Sequence, residues 1–115
     1  MPQPITPVIF RKWKDTGTTI ALFPELPADL NGSFCDAYEH IGQHGGADYF
    51  GVVQHTLPAS RNESTALARE LRRIGYRLKV MRRASRRQHQ RRRHVAEQYS
   101  GRGQRKARNI AKDTR

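Results

Sequence analysis

A break in charge near residue 75 constrains this chain more than any other feature. Residues 1–75 carry seven Lys/Arg against eight Asp/Glu, a net of −1. Residues 76–115 carry fifteen Lys/Arg against Glu97 and Asp113, a net of +13. Cations at that density repel one another and cannot be buried without partners. Nearly all the aliphatic and aromatic side chains lie before residue 82. The whole-chain apolar content of 36% is below the about 45–50% of globular domains, and it averages two unlike parts. The expectation is a compact domain over residues 1–82 followed by an arginine-rich arm over 83–115.

Within the first part, VIFRKWK (8–14) and TTIALFP (18–24) are rich in β-branched and aromatic residues, and Asp15 and Gly17 between them supply turn chemistry. They read as a β-hairpin, with Val8 and Phe10 on one face of the first strand and Ile9 and Trp13 on the other. PELPADLNGS (24–33) reads as a loop. FCDAYEHI (34–41) alternates as a third strand would, with a short helix as the weaker alternative. Gly42, Gly45 and Gly46 interrupt what precedes them, and ADYFGVVQHT (47–56) has room for a helical turn or two.

A helix over residues 59–76 is signalled by Ser60 and Glu63, spaced as a capping box, and by Gly75 placed to stop it. Ala66, Leu67, Leu71 and Ile74 supply its predicted buried face. YRLKVMRR (76–83) then alternates Tyr76, Leu78 and Val80 against Arg77, Lys79 and Met81, a strand with one wet face. The expected fold class is α+β: a small antiparallel sheet packed on one amphipathic helix, followed by a basic tail, helical or disordered.

The tail's composition points to a polyanionic partner. After residue 75, arginine outnumbers lysine twelve to three. Guanidinium groups grip phosphate through a planar fork, where lysine is a point charge. The candidate nucleic-acid contacts are Arg82, Arg83, Arg86, Arg87, Gln90, Arg91, Arg92, Arg93, Arg102, Arg105, Lys106 and Arg108. If residues 82–99 become helical, Arg86, Gln90 and Arg93 lie near one face. Only Ala84, Val95, Ala96 and Tyr99 are apolar there, too few to hold a helix on a core. Residues 100–115, interrupted by Gly101 and Gly103, read as disordered. RNA or DNA is the expected partner, bound without catalysis.

CDAYEHIGQHGGADY (35–49) is the other unusual segment. Cys35, His40 and His44, with Asp36 or Asp48 nearby, are residue types that ligate zinc, and Cys35 beside a histidine is the pattern of a thiol nucleophile. The glycines spoil a helical ligand pair, no second cysteine motif is present, and no acyl-transfer signature surrounds Cys35. The expectation is therefore no metal, no cofactor and no enzyme. The stretch reads as a tight turn, with Tyr38, His40, Gln43 and His44 as candidates for contact with a protein partner.

A single cysteine permits no internal disulfide, and no apolar run is long enough to span a membrane. The start MPQPITPVIF lacks the pattern of a signal peptide. A soluble, cytoplasmic protein is the expectation.

Taken together, VIFRKWKDTGTTIALFPELPAD, YEHIGQHGGADY and ELRRIGYRLKVMRR resemble a family of small uncharacterised proteins from bacterial genomes and mobile elements. The resemblance covers about residues 7–83 and leaves out the basic tail. It implies no catalytic residues. Small phage- and plasmid-borne proteins of this kind include anti-CRISPR inhibitors of host defence. That implies an alternative activity: inhibition, through the folded domain, of a protein partner such as a nucleoprotein nuclease.

Overall fold

The computed structural model describes residues 4–39 and 43–98. Two long strands, β1 (Ile5–Trp13) and β2 (Thr19–Pro27), form the expected hairpin. Its turn holds Gly17 at φ +76°, a backbone conformation that costs glycine nothing. β3 (Cys35–Glu39) pairs antiparallel with β2, and β4 (Gln43–Ala47) pairs antiparallel with β3 at the sheet edge. The glycines of 45 and 46 were expected to break regular structure. They lie instead inside this edge strand, where missing side chains are tolerated.

The other edge of β1 is shared by two strands. After α1 (Tyr49–Gln54), β5 (Thr56–Pro58) pairs antiparallel with Arg11–Trp13. The chain then turns over through α2 (Arg61–Ile74), and β6 (Arg77–Met81) pairs with Ile5–Ile9. This last pairing is parallel, the one departure from the antiparallel sheet expected. A third helix, α3, spans residues 86–98. The class is α+β, as expected.

Strand alternation sorts the core into two layers. Val8, Phe10, Ala21, Phe23 and Tyr38 face α2 and meet Leu67, Ala68 and Leu71. Ile9, Ile20, Leu22, Cys35 and Ala37 face the opposite side and meet Tyr49 and Val52 of α1. The division of β1 into a Val8/Phe10 face and an Ile9/Trp13 face holds. Arg11, on the α1 side, is buried because its Nε donates to Thr56 Oγ1 at 2.9 Å and its Nη2 donates to the Thr56 and Val53 carbonyls.

α2 begins as its sequence signals. Glu63 N donates to Ser60 Oγ at 3.1 Å and Ser60 N donates to Glu63 Oε1 at 2.9 Å. Lys12 Nζ, 2.6 Å from Glu63 Oε2, ties the helix to β1 and holds that carboxyl down at about 2. The helix stops at Gly75, φ +127°. Its buried stripe is rotated from the expected one: Ser64 and Ala68 are inside, whereas Ala66 is exposed and Ile74 is 53% exposed. Tyr76, just before β6, and Leu78 within it pack on the α2 layer and Met81 on the other, while Val80 is exposed near the strand's end.

The folded unit does not end at residue 82. Ala84 packs against the α1-side layer, and Gln88, His89, Arg92 and Ala96 of α3 are buried. The first two-fifths of the expected arm therefore belong to the globule. None of the helices among the described residues is long and apolar enough to cross a membrane.

Candidate nucleic-acid interface

The segment leading into α3 is fixed to α1 by a hydrogen bond from Ala84 N to Tyr49 Oη, 2.8 Å. Ser85 then opens the helix with a second capping box. Gln88 N donates to Ser85 Oγ at 3.2 Å, and Ser85 N donates to Gln88 Oε1 at 2.9 Å. The S-x-x-Q spacing was legible in SRRQ and is the same device as at Ser60.

α3 is held by polar anchors. Arg92, 1% exposed, inserts between the β2–β3 loop and the helix itself. Its Nε donates to the Gly32 carbonyl at 2.9 Å and its Nη1 donates to the Pro24 carbonyl at 2.9 Å. Nη1 also lies 2.8 Å from His89 Nδ1. Arginine has no acceptor, so Nδ1 must be the bare, accepting nitrogen and the His89 ring is neutral with its proton on Nε2. Burial, reinforced by Arg92 and Arg93, holds the His89 imidazole below its ordinary value. Gln88 Nε2 donates to Glu25 Oε2 at 3.1 Å, reaching β2.

Gly32 makes this docking possible. Its φ is +74°, and a Cβ there would meet the Arg93 Cα at 2.7 Å. The loop and the helix backbone touch because this residue has no side chain.

With residues 88, 89, 92 and 96 turned inward, the 3.6-residue period turns 86, 87, 90, 91, 93 and 94 outward. Arg82, Arg83, Arg86, Arg87, Gln90 and Arg93 are exposed. Among the described residues, the five arginines of this set have no ion-pair partner. Arg91 differs: its Nε sits 3.1 Å from Glu25 Oε1. Arg91 is exposed although Glu25 is half-buried, so the pair does not remove Arg91 from the cationic face. Arg92 is a correction. Composition places it among the phosphate contacts, but its guanidinium is consumed by carbonyl oxygens inside the fold. Arg102, Arg105, Lys106 and Arg108 lie outside the described residues.

An aromatic cluster borders this face. The His89 ring is 4.7 Å from Tyr49 and 5.0 Å from Phe50, centroid to centroid. Phe50 is 58% exposed. Arg86 and Arg93, three residues before His89 and four after, share its flank of the helix. The Phe50 ring thus borders His89, next to the helix face that carries Arg86, Gln90 and Arg93. Sequence reasoning passed over Phe50, since nothing in ADYFGVVQHT indicates that α3 will fold across it.

The Gly-His stretch offers less. Tyr38 is not a surface group: it is 1% exposed, and its Oη donates to Glu70 of α2 at 2.7 Å. His40 and the side chains of Gln43 and His44 lie outside the described residues. Cys35 is buried in the α1-side layer, and burial pushes its thiol up to about 11. A protonated thiol without access to solvent is no nucleophile at neutral pH. Among the described residues no three His, Cys, Asp or Glu side chains gather into a metal-binding group. Compared with known proteins, the chain matches no family model, no curated protein and no solved structure.

Proposed function

We propose that this protein binds nucleic acid, without catalysis, through the outward face of α3. One observation carries the reading: α3 separates its arginines by role. Arg92 is spent inside the fold, while Arg82, Arg83, Arg86, Arg87 and Arg93 stand exposed on a fixed helix and its lead-in, without an ion pair among the described residues. Holding those side chains exposed and unpaired brings the fold no stability, whereas a row of phosphates would satisfy them. Exposed Phe50 favours a single strand, because an unpaired base can stack on its ring.

Five phosphate contacts give a slope of log affinity against log salt of about −3.5 for a single strand and −4.5 for a duplex. Fluorescence anisotropy of a labelled oligonucleotide across a salt series reads this directly. Arg86→Gln with Arg93→Gln should lower the slope by about two, and Phe50→Ala should weaken a single strand more than a duplex. A flat salt dependence in the intact protein would sink the proposal. Deleting residues 84–115 is a poor substitute, because it uncovers Tyr49 and the Pro24 and Gly32 carbonyls.

A further inference from the structure

The two strands that share one edge of β1 leave an opening between them. β5 ends at Pro58, opposite Arg11, and β6 ends at Met81, opposite Ile9. Above Phe10, where neither strand pairs, a cleft of about 590 Å³ runs between α2 and the sheet edge. Arg61, Arg69 and Arg72 of α2 and Arg82 after β6 line it, and Ala68 and Val80 contribute apolar floor. Among the described residues no Asp or Glu lines it. None of the four arginines has an ion pair among the described residues.

We infer that this cleft is a second nucleic-acid contact, which takes the phosphate backbone of a single strand. The inference rests on the proposed function and extends it to the opposite face of the sheet, with Arg82 at the junction. Charge selects the class of occupant: four guanidiniums without a carboxylate fit a polyanion. Shape selects the strand. Arg61, Arg69 and Arg72 fall on one side of α2, and at 1.5 Å per residue the row spans roughly 16 Å. A lone phosphate touches one end of such a row, whereas an extended backbone follows it. The apolar floor between the arginines leaves room for sugar and base.

The test is Arg61→Gln/Arg69→Gln/Arg72→Gln in the full chain, with an oligothymidylate of about 16 nucleotides as the probe. The salt slope should become shallower by about two and affinity should fall for every sequence alike, with the thermal midpoint held. Should the triple variant fail to fold, Arg69→Glu alone, at an exposed position, should still weaken binding. An unchanged slope in a folded triple variant overturns the inference. If Arg86→Gln/Arg93→Gln weakens binding in the same assay, the function on α3 stands while the cleft falls. No binding by the intact chain overturns both. Complete competition by adenosine monophosphate would make the cleft a small-ligand pocket. Binding of polyglutamate, lost in the triple variant, would make it a protein contact. Either result overturns the strand as occupant.

Discussion

α2 and α3 are helices of similar length, opened by the same capping device and attached to the same sheet by opposite means. α2 lays Leu67, Ala68 and Leu71 on the sheet and keeps its arginines on the wet side. α3 lays down Gln88, His89, Arg92 and Ala96, three of them polar and each hydrogen-bonded or stacked. Apolar burial is non-directional and tolerates sliding. A buried guanidinium fixed by two carbonyls is directional, so it sets register and orientation as well as attachment. α3 is thus fixed in place by groups that would be costly to leave unpaired.

The contrast can be broken from either side. Leu71→Ala, which opens a cavity under α2, should cost about 2–5 kcal/mol and lower the midpoint of a denaturant melt of the whole domain. Arg92→Met should cost about 1.5–3 kcal/mol, since the Pro24 and Gly32 carbonyls lose a charged donor. Its signature should be local: proteolysis within residues 84–98 while the sheet survives. Gly32→Ala should act on the same contact, at about 1–3 kcal/mol, because its φ is strained for alanine and its methyl meets the Arg93 backbone.

Acid should act more gently. Folding lowers the His89 pKa, so the unfolded chain binds that proton more readily. The stabilisation is full above the unfolded value of about 6.5 and is lost as pH falls through it toward the lower folded value. Thermal melts should show a midpoint that declines over that interval, with a weaker decline in His89→Gln. Arg86→Gln with Arg93→Gln should shift stability by no more than about 0.5 kcal/mol in the same melts, because neither side chain contributes to docking.

Most of the sheet and α2 were legible because their signals are local: alternation in VIFRKWK and TTIALFP, the Asp15–Gly17 turn, the Ser60–Glu63 box. β5 was too short for alternation to show, and β4 carries glycines that read as breakers until a neighbouring strand pairs with them. The docking of α3 escaped for a different reason. Hydrophobic periodicity cannot register a buried face made of Gln88, His89 and Arg92, and the acceptors that satisfy Arg92 lie 60 and 68 residues away in sequence. A helix over this stretch was legible as one alternative, and the Ser85–Gln88 spacing marks its start; its docking on the sheet was not legible. The site was legible to the same degree. Charge pointed to Arg86, Arg87 and Arg93, but sequence could not separate Arg92 from them, nor bring Phe50 or Arg61, Arg69 and Arg72 into view.

Hydrogen exchange over residues 89–98 of the intact chain, free of nucleic acid, tests most directly whether α3 is a docked part of the fold that holds its outer arginines in place. The account predicts amide protection approaching that of α2, lost selectively in Arg92→Met. Exchange at the rate of an unstructured peptide in the intact chain would mean that the cationic segment is a free arm after all.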